Sequence, residues 1–106
     1  ANLALELAWK DADAVYLSFD IDSIDPGFAP GTGTPEPGGF TPREALEMVR
    51  IVAREGLCAM EVVEVSPPYD VNDSTSQLAC RVILDTLGTM VSAGKIGHRD
   101  KVMRPE

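Results

Sequence analysis

Residues 15–22 have the sequence Val-Tyr-Leu-Ser-Phe-Asp-Ile-Asp, a run of β-forming residues that becomes acidic at its carboxyl end. Because β-branched and aromatic residues favour strands and Pro26 follows closely, we predict a strand that ends near Asp22. Successive side chains of a strand point to opposite faces, which would place Ser18, Asp20 and Asp22 on one face. Two carboxylates are therefore expected to lie together at the carboxyl end of this strand.

The segments on either side of this strand favour helices. The chain opens with an Ala- and Leu-rich segment, residues 1–11, that is typical of a helix. A loop rich in Gly and Pro follows the predicted strand and extends to Gly39. A second helix then begins clearly, because Thr41 can cap it, Pro42 suits its first position and Glu44 completes a capping box. Its buried face would comprise Ala45, Leu46, Val49, Val52 and Ala53.

A second strand and a third helix complete the predicted order of elements. Gly56 would close the second helix. Residues 57–65, which are apolar except for Glu61 and Glu64, then predict a strand that helices cover on both faces. Residues 74–93 predict a helix that ends at Gly94. Its inward side chains would be Leu78, Val82, Ile83, Leu87, Met90 and Val91. Helices that alternate with strands are typical of the α/β class with a parallel sheet. Two strands alone leave two unpaired edges, so we expect neighbouring strands outside this chain.

The charge and composition disfavour several classes of partner. The chain has 17 acidic and 9 basic residues and a net charge of -8. This charge disfavours nucleic acid and anionic membrane surfaces, which are bound through clustered Lys and Arg. A metallic or organic cation is a better partner, although solubility alone explains the charge equally well. No apolar run is long enough to span a membrane, and the two cysteines, Cys58 and Cys80, are too few for a disulfide framework. We therefore expect a soluble, cytoplasmic protein with two buried thiols.

Asp20 and Asp22 are candidate ligands of a cation. Open α/β sheets bind ligands at the carboxyl ends of their strands. Neighbouring carboxylates repel each other, and a divalent cation such as Mn²⁺ or Mg²⁺ relieves that repulsion. Two alternatives remain open from these residues alone. The acids could be merely solvated, or Asp22 and Asp25 could shape the turn before Pro26.

The loop that follows the two acids is more specific. It contains Asp-Pro at residues 25–26, Ala-Pro-Gly-Thr-Gly-Thr-Pro-Glu at residues 29–36 and Gly-Gly at residues 38–39. This succession resembles the third signature of the ureohydrolases, which include arginase, agmatinase, guanidinobutyrase and formimidoylglutamase. The stretch Gly-Thr-Gly-Thr-Pro-Glu-Pro-Gly-Gly is more similar to the agmatinase branch than to the arginases. Residues 62–70, Val-Val-Glu-Val-Ser-Pro-Pro-Tyr-Asp, resemble the next strand and loop of that family.

The resemblance implies a fold, a reaction and a set of roles. The fold would be part of an arginase-like three-layer α/β/α arrangement with a parallel sheet. The reaction would be hydrolysis of a guanidino compound, by preference agmatine, to urea and an amine, with water activated by two divalent ions, Mn²⁺ or in some members Ni²⁺. By motif position, Asp20 would bridge both metals, Asp22 would bind one of them, and Glu64 would pair with the substrate's guanidinium group. The alternative for Glu64 is an ordinary solvated acid.

The same resemblance implies that only part of a site is present. The family also uses an Asp-x-His-x-Asp stretch and a further His, all from strands upstream, and nothing in these 106 residues supplies them. We therefore expect residues 1–106 to be the C-terminal portion of one catalytic domain that lacks its upstream half, taken from a homo-oligomeric enzyme and inactive alone. The alternatives are hydrolysis of guanidinobutyrate, guanidine or arginine, or a non-catalytic cation-binding or oligomerisation module.

Two other features of the sequence, a glycine-rich stretch and a single histidine, do not indicate a further binding site. The Gly-Thr-Gly of residues 31–33 lacks the third glycine of a dinucleotide fingerprint and the Lys-Ser/Thr ending of a P-loop. A nucleotide-binding domain is therefore disfavoured. His98, the one histidine of the chain, follows the last predicted helix beside Arg99 and Asp100, and we expect it on the surface and not at a metal.

Overall fold

A computed structural model describes residues 1–97, which form three α-helices and two β-strands in alternating order. In chain order these are α1 (Asn2–Trp9), β1 (Tyr16–Asp20), α2 (Pro42–Arg54), β2 (Ala59–Val63) and α3 (Ser74–Ser92). A short 3₁₀ turn follows each strand, Ile21–Ser23 after β1 and Pro67–Tyr69 after β2. The predicted α/β class is confirmed. His98, which we predict to lie on the surface, falls outside the described residues.

The two strands form a parallel sheet, with α2 in the crossover between them. Tyr16 lies opposite Ala59 at one end of the pairing, and Asp20 lies opposite Val63 at the other. Because parallel strands run in the same direction, their carboxyl ends lie at the same edge of the sheet. The residues that follow β1 and β2 are therefore brought close together.

β1 is shorter than predicted and ends at Asp20. The carboxylate of Asp20 accepts a hydrogen bond from the backbone N–H of Asp22 at 3.0 Å, and the chain turns there into the first 3₁₀ turn. Asp22 consequently belongs to that turn. The prediction that strand alternation alone places Ser18, Asp20 and Asp22 on one face is wrong for Asp22. β2 is shorter than the predicted 57–65 as well.

α2 begins and ends where the sequence predicts. The N–H of Glu44 donates to the Thr41 hydroxyl at 3.2 Å, and the N–H of Thr41 donates to the Glu44 carboxylate at 3.3 Å, which completes the capping box. Gly56 follows the helix with a φ of +88°, the left-handed conformation that glycine adopts without steric cost. Ala45, Val49 and Ala53 form the buried stripe of this helix.

The hydrophobic core lies against one face of the sheet and includes side chains of α2 and α3. Its buried members are Phe19, Ile21, Ile24, Ala29, Ala45, Val49, Leu78, Ala79 and Val82. Arg50 of α2 is also hydrogen-bonded through Nε to Asp85 of α3 at 3.0 Å. On the other face of the sheet, Tyr16, Ser18 and Glu61 are exposed, so the cover on both faces that the sequence predicts is absent within residues 1–97.

Two further predictions about burial are wrong. The sequence predicts that Ile83, Leu87 and Val91 face inward, but these residues are 39%, 45% and 55% exposed. α3 instead buries a narrower stripe, made of Thr75, Leu78, Ala79, Val82, Thr86 and Met90. Cys58 and Cys80, predicted to be buried, are both exposed, because Cys58 precedes β2 and Cys80 lies outside the buried stripe of α3. No helix within residues 1–97 combines the length and apolarity needed to cross a membrane.

Candidate active site

The three acids singled out in the sequence lie at the same end of the sheet. β1 terminates in Asp20, and Asp22 follows in the 3₁₀ turn. Val63, which is opposite Asp20, is the last residue of β2 and directly precedes Glu64. Since ligands of α/β sheets bind at the carboxyl ends of the strands, this edge of the sheet is the candidate site.

Asp20 and Asp22 interact directly. Asp20 is half-buried, its Oδ1 accepts the Asp22 N–H, and its carbonyl oxygen accepts the Ser23 hydroxyl at 2.7 Å. Burial raises the pKa of the Asp20 carboxyl above its ordinary value, the Asp22 N–H opposes this shift, and the nearby Asp22 carboxylate adds to it. The arrangement therefore places a partly desolvated carboxylate beside a second acid.

The Asp22 carboxylate has a partner that sequence reasoning missed. The hydroxyl of Thr34 donates to Oδ2 of Asp22 at 2.8 Å. Thr34 belongs to the Gly-Thr-Gly-Thr stretch, so the loop motif and the acidic motif are in physical contact. Thr34 and Asp22 are twelve residues apart, and the loop between them is irregular. No helical or strand periodicity in the sequence could therefore have predicted their contact.

Glu64 is exposed and its backbone has a φ of +70°. Non-glycine residues adopt this left-handed conformation infrequently, and when they do they are found preferentially at functional sites. The conformation occurs immediately after the last paired residue of β2. The sequence identified Glu64 as a candidate but gave no indication of its backbone conformation.

The base of the loop between β1 and α2 is closed by hydrogen bonds around Asp25. Its carboxylate accepts the N–H groups of Gly27 and Gly38, each at 2.8 Å, and these bonds hold the pKa of Asp25 below its usual value. Phe40 N–H donates to Ser23 O and Asp25 N–H donates to Phe40 O, both at 2.9 Å. The turn-shaping role considered for Asp25 is thus confirmed.

The middle of the same loop is held at Gly31. The Gly31 N–H donates to the Thr75 hydroxyl at 2.8 Å, and the Gly31 carbonyl accepts the Ser66 N–H at 2.7 Å. A Cβ at position 31 would lie 2.9 Å from side-chain atoms of both Asp70 and Thr75. Glycine is therefore required here by close approach, and the loop is joined to both α3 and the segment after β2.

Asp70 organises the beginning of α3. Its carboxylate accepts the N–H groups of Val71 at 2.9 Å and of Thr75 and Ser76 at 3.0 Å. Burial by itself would raise the pKa of Asp70, but the hydrogen bonds from Thr75, Ser76 and Val71 outweigh it and hold the pKa well below its ordinary value. No role for Asp70 is predicted from the sequence.

The acids at this end of the sheet supply only part of a metal-binding site. Among residues 1–97, no group of three or more His, Cys, Asp or Glu side chains is arranged to hold a metal. Asp20 and Asp22 offer carboxylate oxygens, the donors that suit Mg²⁺ and Mn²⁺. Two residues cannot fill the coordination shell of such an ion, so they fit a site that other ligands complete.

Comparison with known proteins places these motifs in one family. The arginase family profile matches residues 2–88. Over 73 residues, 69% of this chain, the sequence is 52% identical to guanidinobutyrase from Pseudomonas aeruginosa and 51% identical to agmatinase from Proteus mirabilis. The crystal structure of formimidoylglutamase from Bacillus subtilis superimposes with a TM-score of 0.81 and 34% identity, covering 86% of this chain and 29% of that one. The chain spans 23% and 24% of the two curated relatives.

Proposed function

Because this chain belongs to the arginase family, we propose that its residues form the C-terminal portion of a ureohydrolase domain that hydrolyses a linear guanidino compound to urea and an amine. The observation that carries the proposal is the contact between the two sequence motifs. Asp22 follows the strand that ends in Asp20, and its carboxylate accepts the hydroxyl of Thr34 from the Gly-Thr-Gly-Thr loop.

In this proposal Asp20 and Asp22 hold two divalent cations, Mn²⁺ by preference and Ni²⁺ as the alternative, together with ligands outside this chain. Both side chains supply oxygen donors, and the repulsion between neighbouring carboxylates favours a cation beside them. When bound, the cations would supply Lewis acidity and lower the pKa of a water molecule. The residues of this chain fix where that chemistry takes place.

Glu64 is proposed to bind the guanidinium group of the substrate. A carboxylate can accept two parallel N–H groups from a planar guanidinium, which fixes the plane as well as the position of the group. Glu64 is exposed and follows the residue opposite Asp20, so it is available at the same edge of the sheet. Its role would be to orient the guanidinium carbon toward the metal-binding edge.

We propose agmatine as the substrate, since the sequence of residues 31–39 is most similar to the agmatinase branch. The matches to a guanidinobutyrase and to an agmatinase are nearly equal, so the substrate has to be tested by assay. The complete protein should be given agmatine, 4-guanidinobutyrate, arginine and guanidine in turn, with urea release as the readout. Agmatine is expected to give the highest kcat/KM. A higher kcat/KM with another of these compounds would make that compound the preferred substrate and would refute the proposal of agmatine.

The metal roles are tested by Asp20→Ala and Asp22→Ala in the complete protein. Each change removes a proposed ligand, so the bound Mn²⁺ measured by elemental analysis should fall below two per subunit and urea release should be lost. Asp13→Ala is the matched control, because Asp13 is exposed and lies before β1. Two metals per subunit retained in both variants would refute the assignment.

A further inference from the structure

We propose that Thr34 is a positioning residue for Asp22, one that fixes the orientation of this carboxylate for metal binding. The inference rests on the proposed function, because it assumes that Asp22 is a ligand. It adds a residue to which neither the sequence pattern nor the comparisons assign a role.

The first support is the hydrogen bond itself. A carboxylate is only an acceptor when ionised, so the Thr34 hydroxyl is the donor in its 2.8 Å contact with Oδ2 of Asp22. The backbone N–H of Asp22 donates in turn to Oδ1 of Asp20. Thr34, Asp22 and Asp20 thus form a connected series, in which one hydroxyl restricts the rotation of the Asp22 side chain.

The second support is that the loop carrying Thr34 is itself anchored. Three residues before Thr34, both backbone polar groups of Gly31 are hydrogen-bonded, to Thr75 and to Ser66. The Thr75 side chain is fully buried. At the base of the loop the Asp25 carboxylate accepts two backbone N–H groups. Because the loop is anchored, the Thr34 hydroxyl stabilises one orientation of the Asp22 carboxylate. A hydroxyl on a mobile loop could move with the carboxylate and would not fix its orientation.

Removal of the Thr34 hydroxyl should lower the affinity of the site for the metal ion. Groups that hydrogen-bond to a metal ligand orient it, and their removal usually weakens metal binding by about 10- to 100-fold. Thr34 itself is exposed and contributes nothing to the hydrophobic core. Loss of its hydroxyl should therefore affect metal binding far more than folding.

The test uses the metal-free complete protein and Mn²⁺ alone, titrated by calorimetry. Thr34→Val removes the donor at nearly constant shape and should weaken binding at one site by about 10- to 100-fold, with a Tm of the metal-free protein close to that of wild type. Thr34→Ser retains the hydroxyl and should restore binding. Thr34→Ala is a second variant that removes the donor, in case valine disturbs the loop.

Thr32→Val is the matched control in the same loop. The Thr32 hydroxyl is buried and has no hydrogen-bond partner within the described residues, so its removal should leave the Mn²⁺ affinity unchanged. Wild-type affinity in both Thr34→Val and Thr34→Ala would overturn the positioning role while leaving the proposed function intact. A wild-type protein that binds no Mn²⁺ would overturn both.

Discussion

Among the individual residues, Glu64 differs from Asp20 and Asp22 in what it is proposed to bind. The two aspartates interact with each other, whereas Glu64 is exposed at the end of β2 and available to a ligand from solution. A change at Glu64 should therefore affect substrate use and spare metal binding.

Glu64→Gln is expected to lower kcat/KM for the preferred guanidino substrate by roughly 10- to 150-fold. This range corresponds to the loss of a charge-assisted hydrogen bond that contributes about 1.5–3 kcal/mol. Initial rates of urea release would provide the measurement, and the Mn²⁺ content should stay at the wild-type value. Glu47→Gln is the control, since Glu47 is exposed on α2. A change in kcat/KM of less than about twofold in Glu64→Gln would contradict the assigned role.

The sequence marks the charged residues of the candidate site but not the neutral residues around them. Asp20, Asp22 and Glu64 could be identified because strand ends and a family motif mark them. The Gly31 bond to Thr75 joins residues 44 positions apart, and the Thr34 bond to Asp22 crosses an irregular loop. Such contacts depend on how the loop packs against α3, and no local pattern in the chain encodes that packing.

Among the secondary-structure elements, α3 depends on Asp70 at its beginning. Asp70→Asn should lower the free energy of unfolding of the metal-free complete protein at pH 7 by about 1 kcal/mol, because the amide nitrogen that replaces one carboxylate oxygen cannot accept the N–H of Thr75 or Ser76. The pKa of Asp70 is lower in the folded state, so its stabilising effect is complete above about pH 4, the ordinary value for Asp, and declines as the pH falls below it. Urea unfolding at pH 7 and pH 3 should show the difference between wild type and variant shrinking at the lower pH.

Asp73→Asn provides the comparison for that experiment. Asp73 lies at the N-cap of α3 in the left-handed conformation, which Asn tolerates, and its side chain makes no capping hydrogen bond. Its substitution should leave the free energy of unfolding nearly unchanged at both pH values. An Asp70→Asn effect as small as that of Asp73→Asn would show that the hydrogen bonds of Asp70 do not stabilise α3.

The ends of the helices and strands could be predicted from the sequence only where neighbouring residues determine them. Thr41, Pro42 and Glu44 predicted the beginning of α2 correctly, because a capping box is made by residues that are neighbours in the chain. The sequence predicts an end of β1 two residues later than the structure has it, because Ile21 is a β-forming residue. No local pattern shows that the Asp20 carboxylate accepts a hydrogen bond from the Asp22 N–H. The apolar periodicity of α3 likewise does not distinguish the apolar side chains that are buried in this structure, such as Val82, from those that are exposed, such as Leu87.

At the scale of the whole molecule, apolar surface lies open beside both strands. A groove of about 310 Å³ runs along β1 and α2, lined by Leu17, Phe19, Phe40, Met48 and Val52. Another of about 190 Å³ lies beside β2 and α3, lined by Leu57, Met60, Leu87, Met90 and Ile96. A two-stranded sheet with unpaired edges and open apolar grooves is a weak basis for independent stability.

The chain expressed alone is therefore expected to aggregate or to unfold without a cooperative transition. Circular dichroism during heating would follow the unfolding, and calorimetry would show whether Mn²⁺ binds at a fixed stoichiometry. The complete protein, treated identically, is the reference. A sharp transition together with a defined metal stoichiometry in the isolated chain would favour an autonomous cation-binding module over a portion of an enzyme.

The left-handed backbone at Glu64 and the proposed binding of a guanidinium group place opposite demands on position 64. A residue with a Cβ in this conformation costs about 1–2 kcal/mol relative to glycine. Selection for thermal stability alone would consequently favour Gly or Asn at position 64, and neither could neutralise a guanidinium charge. Under the proposed role of Glu64, a variant with such a substitution should be more stable and less active, so position 64 should be left unchanged when the protein is engineered for stability.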